Sequence, residues 1–213
     1  MTTYFTEASF RFLRGLARHN DKAWFQAHRA DYEVHVRQPF LRLIADLQPA
    51  LARISPHYRA DPRPLGGSLF RIHRDARFSR DKSPYKTWQG ARLFHERRRE
   101  VPAPSFYIHL QPGESFVGAG LWHPEPDTQR RVRQFILENP GSWKAAAHAP
   151  ALRRRFAMDE SEMLVRPPRG FPADFRFIDD LRHRNWVLWR PLEDATMTGP
   201  RLRHTLETDL AAL

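Results

Sequence analysis

The sequence contains no cysteine and no long apolar segment. The absence of cysteine excludes disulfide scaffolds, thiolate zinc sites, iron–sulfur clusters and cysteine nucleophiles. No run of apolar residues approaches the roughly 20 that are needed to span a bilayer. The first residues also lack the basic start and the apolar stretch of a signal peptide. We therefore expect a soluble, cytoplasmic protein with no membrane-embedded part.

Lysine is also scarce, because it supplies 4 of the 35 basic residues and arginine supplies the rest. With 24 acidic residues, the formal net charge is +11. The excess is confined to two windows, residues 71–100 with ten basic and four acidic side chains, and residues 129–155 with seven and one. A basic surface attracts nucleic acid, anionic lipid or phosphorylated ligands. The alternative is a solvated, arginine-rich face without a ligand.

The pattern of apolar residues predicts an α+β fold. Helical spacing marks the first fifty residues and the segment after residue 124, and period-two alternation marks the segment between them. This order favours an antiparallel sheet of about five strands flanked by N-terminal and C-terminal helices, in a single domain over residues 1–213. The predicted strands are 68–74, 87–94, 105–111, 115–122 and 185–190. The predicted helices lie within residues 7–17, 20–36, 39–51, 124–138, 140–148, 151–156, 175–182 and 200–213.

The densest polar cluster covers residues 71–86, which we refer to as the basic loop. If residues 68–74 form a regular strand, Arg74 shares a face with apolar side chains and starts inside the protein. It must then find a carboxylate or a ligand, and Asp75 and Asp81 are the nearest acidic residues in the sequence. We interpret the basic loop as an ordered segment that its own ion pairs hold together.

The side chains of the basic loop predict an anion-binding site. Arginine binds phosphate or carboxylate bidentately, and lysine acts as a point charge. An aromatic ring beside them can wall a pocket or stack on a base. The predicted ligand-binding residues are Arg71, Arg74, Arg77, Phe78, Lys82, Tyr85 and Lys86. Of these, we expect Arg77, Lys82 and Lys86 to face the anion; the alternative is an Arg–Asp network that pins a long loop and binds nothing.

Fixed positions in the basic loop form a recognisable pattern. It is written Arg71-x-x-Arg74-Asp75-x-Arg77-Phe78-x-x-Asp81-Lys82-x-Pro84-Tyr85-Lys86. This pattern resembles the signature of DUF2461, a family of conserved hypothetical bacterial proteins. Residues 20–25, 118–124 and 166–171 also resemble segments of that family, so the resemblance covers residues 3–192. It implies membership of an uncharacterised family and brings no activity with it.

Catalytic motifs of better-known enzymes are missing. The His-Arg-Asp triplet at residues 73–75 imitates a protein-kinase motif, but Arg80 stands where that motif requires asparagine. The Gly-x-Gly at residues 118–120 lacks the third glycine of a dinucleotide-binding loop, because His123 occupies its position. The histidines show no metal-binding spacing, so we predict no metal site. The sequence identifies no cofactor.

Three functional classes remain open. The first is a module that binds an anionic ligand through the basic loop, such as a phosphate-bearing metabolite, a nucleotide or nucleic acid. The second is an enzyme that acts on a phosphate or carboxylate ester, with His73, Asp75 or Asp81 as general acid–base. The third is a non-catalytic interaction scaffold with exposed tryptophans. The candidates for that role are Trp24, Trp122, Trp186 and Trp189.

The second basic window lies on predicted helices. We predict that its arginines form a solvated face opposite a buried stripe of Val132, Phe135 and Ile136. If this face lies beside the basic loop, the two windows together form a nucleic-acid footprint.

Overall fold

The computed structural model describes residues 2–77 and 79–213 and contains one antiparallel sheet. Its strands are β1 (Tyr58–Arg59), β2 (Gln89–His95), β3 (Ser105–Leu110), β4 (Phe116–Leu121), β5 (Ala157–Met158) and β6 (Trp186–Pro191). The described residues form six strands in the order β1-β2-β3-β4-β6-β5. The predicted α+β fold with an antiparallel sheet is therefore confirmed, with six strands where about five were expected.

Helices precede and follow the central strands. Those before the sheet are α1 (Glu7–Arg18), α2 (Lys22–Ala27), α3 (Arg29–Tyr32), a π-helical turn (Glu33–Arg37) and α4 (Gln38–Ile54). Those after β4 are α5 (Pro126–Glu138), α6 (Pro140–Ala147), α7 (Pro150–Arg153), α8 (Ile178–Arg182), α9 (Asp194–Met197) and α10 (Leu202–Ala212). None of the described helices has both the length and the apolar character that crossing a bilayer requires.

Helix α1 begins where the sequence supplies a cap. The Thr6 side chain accepts a hydrogen bond from the Ala8 N–H, and the Ser9 hydroxyl accepts one from the Thr6 N–H. These bonds satisfy backbone donors that an uncapped helix would leave without partners. Phe10 and Leu13 then follow at helical spacing and are buried in the core.

One face of the sheet, which we call the inner face, packs against α4 and α10. Because successive residues of a strand point to opposite faces, alternate positions of β2, β3 and β4 supply the inner face. Leu93, Ile108, Leu110 and Val117 are each fully buried in one hydrophobic cluster. Full burial of such a side chain contributes about 1.5–3 kcal/mol, so this face accounts for much of the stability of the fold.

The opposite face, which we call the outer face, carries the alternate positions of the same strands. Its members are Trp88, Gly90 and Arg92 on or beside β2, Tyr107 and His109 on β3, Phe116 and Gly118 on β4, and Trp189 on β6. None of these residues belongs to either hydrophobic cluster of the described chain. The outer face therefore differs from the inner face in both chemistry and burial.

The predicted strand at residues 68–74 is wrong. Two isolated bridges replace it, one between Leu69 and Ala91 and one between His73 and Tyr85. In one regular register, the first bridge would place His73 opposite Thr87, so the backbone between the bridges bulges. The segment still follows β2, but without a continuous ladder.

Other predicted elements and boundaries also differ from the structure. The single helix predicted over residues 20–36 is divided into α2, α3 and the π-helical turn. Strand β1 lies in a segment predicted as loop, and β5 follows a helix that ends earlier than expected. Both missed strands have two residues each, which is too short to show alternation.

In the second basic window, the predicted division into a solvated arginine face and a buried apolar stripe does not hold. Helices α5, α6 and α8 surround a second cluster that contains Ile136, Leu181 and Trp186. Arg133 is buried, and its guanidinium donates to the backbone carbonyls of Leu181 at 2.7 Å and His183 at 2.8 Å. Phe135, which was predicted to be buried, is 50% exposed. The side chain of Arg133 is therefore buried where an apolar residue was expected, because its guanidinium supplies the hydrogen bonds that these two buried carbonyls need.

Candidate functional site

The basic loop is fixed at its base by backbone pairing. The Lys86 N–H donates to the Ile72 carbonyl, and the Arg74 N–H donates to the Pro84 carbonyl, each at 2.8 Å. Asn20, which lies between α1 and α2, donates to the Tyr85 carbonyl at 2.9 Å and accepts from the Tyr85 N–H at 3.0 Å. The two ends of the loop are therefore held together and tied to the N-terminal helices.

Two ion pairs brace the interior of the basic loop. The Arg74 guanidinium pairs with Asp81 and also donates to Ser79 Oγ at 3.0 Å. Arg77 pairs with Asp75 at 2.7 Å. Hydrogen bonds from Ser83, with a further contribution from Arg74, lower the pKa of Asp81 to about 2. The Arg77 guanidinium lowers the pKa of Asp75, so both carboxylates are ionised at neutral pH.

Lys86 has a different environment from these paired residues. Its ammonium group donates to the carbonyls of Arg71 at 2.6 Å and His73 at 3.3 Å. It also lies 5.8 Å from the centroid of the Phe70 ring and 5.3 Å from that of Trp88. Burial lowers the pKa of Lys86, and the neighbouring Arg71 lowers it further. Within the described residues, no carboxylate forms a salt bridge with Lys86.

Lys82 also lies against backbone oxygens rather than a carboxylate. Its ammonium group donates to the carbonyls of Ala76 at 3.1 Å and Arg77 at 3.4 Å. Arg71 and Arg80 are exposed and form no salt bridge with another described residue. After the two ion pairs are formed, the loop therefore keeps the positive charges of Arg71, Arg80, Lys82 and Lys86.

The predicted site contains two aromatic residues, Tyr85 and Phe78, and the structure describes only the first. Tyr85 is buried, and its ring stacks on Phe25 with centroids 4.1 Å apart. Tyr85 is therefore a core residue and does not wall a pocket at the surface. Helix α2, which carries Phe25, covers its ring. Phe78 lies outside the described residues, so its predicted role stays a prediction.

The residues predicted for acid–base catalysis do not form a catalytic pair in the described chain. The exposed His73 ring lies 5.2 Å from the Tyr85 ring, between centroids, and makes no hydrogen bond to Asp75 or Asp81. The lowered pKa values of the two aspartates favour a bracing role over that of a general acid. Among the described residues, no cluster of three histidine or acidic side chains could hold a metal ion.

The outer face next to Lys86 carries a continuous set of aromatic rings. Ring centroids are 4.8 Å apart for Trp88 and His109, 4.7 Å for His109 and Phe116, and 5.8 Å for Phe116 and Trp189. The rings of Phe70 and Tyr107 are 5.8 Å apart beside them. Apart from His109, these rings are partly exposed. The set crosses from the edge of β2 to β6, and the sequence prediction did not include it.

Tyr107 and His109 form a neutral hydrogen-bonded pair within this aromatic set. The Tyr107 hydroxyl lies 3.1 Å from His109 Nδ1, and His109 Nε2 lies 2.9 Å from Gln111 Oε1. Burial raises the pKa of Tyr107 and lowers the pKa of His109. With both groups neutral, Nε2–H donates to the Gln111 amide oxygen and Nδ1 accepts from the tyrosine. The centre of the outer face therefore offers rings without charge.

Further cations follow β2 beyond Lys86. Arg92 is exposed on the outer face, opposite Tyr107. The Arg98 guanidinium lies 3.4 Å from the centroid of the Phe94 ring. Burial lowers the pKa of Arg98, and the charges of Arg92 and Arg99 lower it further. Cations therefore border the aromatic rings along one edge.

Comparison with family models identifies the family of the chain. A family model described as DUF2461, conserved hypothetical protein, matches residues 8–213. The chain belongs to this family. Comparisons with curated proteins and with solved structures found no match.

The structure divides the patterned residues of the basic loop into two groups. Arg74, Asp75, Arg77 and Asp81 form the ion pairs within the loop. Lys86 instead carries its charge beside the aromatic rings of the outer face. In this DUF2461 protein, one group shapes the loop and the other supplies charge to the neighbouring surface.

The tryptophans considered for an interaction scaffold occupy different environments. Trp186 is buried, Trp24 and Trp189 are partly exposed, and Trp122 is 59% exposed. Only Trp189 of these four belongs to the aromatic set of the outer face. They therefore do not form one exposed surface.

Proposed function

We propose that this DUF2461 protein binds single-stranded nucleic acid on the outer face of its sheet. The phosphates lie against the cations beside β2, and the bases stack on the aromatic rings. The proposal rests on Lys86, whose ammonium group has no carboxylate partner among the described residues and lies 5.8 Å and 5.3 Å from the centroids of two partly exposed rings.

The charge at Lys86 supports an anionic ligand. Two carbonyl oxygens hold the ammonium group, and Arg71 beside it adds a second positive charge. Placing two cations together opposes their charged states unless an anion offsets the repulsion. A phosphate group supplies that anion and accepts the hydrogen bonds that the cations can still donate.

The aromatic rings support a ligand with bases. The step from β2 to β6 crosses three strand spacings, or about 14 Å at about 4.8 Å each. Aromatic side chains on an open sheet stack on two or three bases in well-known RNA-binding modules. Each such stack contributes about 1–3 kcal/mol and tolerates different bases, so we expect weak sequence preference.

The position of the cations relative to the rings supports a strand rather than a single nucleotide. Lys86 precedes β2, Arg92 lies on it, and Arg98 follows it. A backbone that follows this edge keeps its bases over the rings of β3 and β4. This arrangement of a cationic track beside stacking rings is typical of single-strand binding proteins.

The test measures the fluorescence anisotropy of labelled twelve-residue oligothymidylate and oligouridylate over a series of salt concentrations. Lys86→Ala should weaken binding about tenfold, the value expected from one charged hydrogen bond. It should also reduce the slope of log affinity against log salt by about 0.7. Arg11→Ala is the matched control, because Arg11 is exposed on α1, away from the sheet.

The control variant should change affinity by less than about twofold, since a distant exposed charge is screened beyond about 10 Å. Equal weakening by Lys86→Ala and Arg11→Ala would show that only net charge attracts the oligonucleotide. Absence of binding at low salt would contradict the proposal.

A second candidate is a compact phosphate-bearing metabolite at the basic loop. The rigid placement of Lys86 by two carbonyls favours it, because a single phosphate needs few fixed contacts. If this alternative is correct, inorganic triphosphate competes fully with the oligonucleotide, and the binding of triphosphate resists salt. For a nucleic-acid site, triphosphate competes weakly and Trp88→Ala reduces oligonucleotide affinity.

A further inference from the structure

A large cavity lies on the other side of the sheet from the outer face. Its volume is about 720 Å³. Leu121 and Leu188 of the sheet line one side, and Val132 of α5 and Trp143 of α6 line the other. This volume is within the range of about 300–1,000 Å³ that is usual for small-molecule sites.

Both hydrophobic clusters of the described chain reach this cavity. Phe106, which belongs to the first hydrophobic cluster, and Trp186, which belongs to the second, both line it. The cavity is partly open to solvent, and apolar side chains make up most of its lining. Removal of apolar surface from water is favourable, so a cavity with such walls is suited to an apolar ligand.

Large apolar side chains at the rim of the cavity are accessible to solvent. Ile54 at the end of α4 is 38% exposed, and Phe135 on α5 is 50% exposed. Large apolar side chains that remain in water at the edge of a cavity lose exposed area when a ligand covers them. They also mark a route by which such a ligand enters.

Arg131 is the only charged side chain among the described residues that line the cavity. Its guanidinium donates to Thr128 Oγ1 at 3.2 Å, and no described carboxylate forms a salt bridge with it.

We infer that this cavity binds a long-chain carboxylate. The alkyl chain lies among the apolar walls, and the carboxylate pairs with Arg131 at the rim. Charge complementarity selects the head group, since the walls otherwise present apolar side chains and a few uncharged polar groups. The site is independent of the proposed nucleic-acid surface, because the two lie on opposite faces of the sheet.

The experiment titrates the protein with sodium laurate, below its micelle concentration, by isothermal calorimetry. Ala146→Phe fills the cavity from α6, and Ala145→Phe is its matched control, because both alanines are exposed but only Ala146 lines the cavity. Arg131→Gln removes the head-group partner. Arg130→Gln is its control, since Arg130 is exposed and is not among the lining residues.

We expect saturable binding of laurate that Ala146→Phe weakens at least about tenfold. Arg131→Gln should weaken laurate about tenfold and leave dodecanol unchanged, because it removes one charged hydrogen bond. Both control variants should bind laurate like the wild type. Ala146→Phe should bind oligonucleotide normally, which separates this site from the outer face.

The inference is overturned if the wild type shows no saturable binding of laurate. It is also overturned if Ala146→Phe binds laurate like Ala145→Phe, or if Arg131→Gln and Arg130→Gln weaken it equally. Melting temperatures of all four variants, measured without ligand, identify any loss of affinity that comes from unfolding.

Discussion

Ile108 and Tyr107 are neighbours on β3, yet they lie in opposite environments. Ile108 is fully buried on the inner face, among aliphatic side chains beneath α4 and α10. Tyr107 lies on the outer face, among aromatic rings and cations. The strands are the same, so the difference must come from what each face contacts.

Stability explains the inner face but not the outer face. Burial of aliphatic side chains is the main favourable term in folding. The outer face instead leaves large rings partly in water, next to cations that have no carboxylate partner among the described residues. Contiguous apolar patches that remain partly in water are typical of binding surfaces, and the predictions below test that separation of roles.

The largest effect is expected for Ile108→Ala. This change removes buried methyl groups from the inner face and should lower the free energy of unfolding by about 2–5 kcal/mol. Oligonucleotide affinity of the folded protein should not change, since no atom of the outer face is altered. Urea unfolding and fluorescence anisotropy of the same samples measure the two quantities, and a marked loss of affinity in folded protein would break the distinction between the faces.

The converse effect is expected for Trp88→Ala. It removes a partly exposed ring that contacts His109 on the outer face, so the loss of stacking should weaken oligonucleotide binding by about 1–3 kcal/mol. Stability should fall less than in Ile108→Ala. Phe135→Ala, which removes a half-exposed ring from α5, is the control and should bind oligonucleotide normally.

A smaller effect is expected for Gly90→Ala, which adds one methyl group to the outer face. A Cβ at this position would lie 2.3 Å from the Tyr107 hydroxyl oxygen and 2.9 Å from a ring carbon, so the ring must move. Overpacking of this kind costs about 1–3 kcal/mol, and the cost lies near the lower value because the nearest atoms belong to the end of a side chain rather than to backbone. If a crystal structure of the variant showed Tyr107 unmoved, the packing described for this face would be wrong.

The smallest effect is expected for Asp81→Asn, which breaks an ion pair of the exposed basic loop. The pKa of Asp81 is about 2 in the folded protein and about 3.9 when unfolded. Its ionised form therefore stabilises the protein above pH of about 4, and that contribution is lost as the pH falls towards 2. The difference in urea midpoint between wild type and Asp81→Asn should shrink over this interval; a constant difference would contradict the assigned ion pair.

Local pattern was sufficient to predict most of the sheet. The alternation of Phe106, Ile108 and Leu110 with polar neighbours predicted β3, because one face of that strand is buried and the other is not. The segment at residues 68–74 has similar residues but bulges, since its two ends pair in different registers, Leu69 with Ala91 of β2 and His73 with Tyr85 before β2. Such a shift depends on partners distant in sequence, which a local pattern does not contain.

The sequence predicted the part of the candidate site that depends on local contacts and missed the part that depends on distant ones. The spacing of Arg74 and Asp81 was enough to predict a braced loop, because both partners lie in one segment. The ring set of the outer face combines Phe70 and Trp88, which lie beside β2, with residues from β3, β4 and β6, so only the strand pairing brings it together. The burial of Arg133 could not be predicted for the same reason, because the carbonyls that accept its hydrogen bonds belong to α8 and the residues after it.

The most direct test maps the binding surface by nuclear magnetic resonance. Isotope-labelled protein is titrated with unlabelled oligothymidylate, and the shifts of backbone amides and tryptophan indoles are followed. The account predicts the largest changes at Trp88, Tyr107 and Phe116, with small changes on α5 and α6. Changes that are largest on α5 and α6, or that are equally distributed over all exposed arginines, would contradict the assignment of the outer face as the nucleic-acid surface.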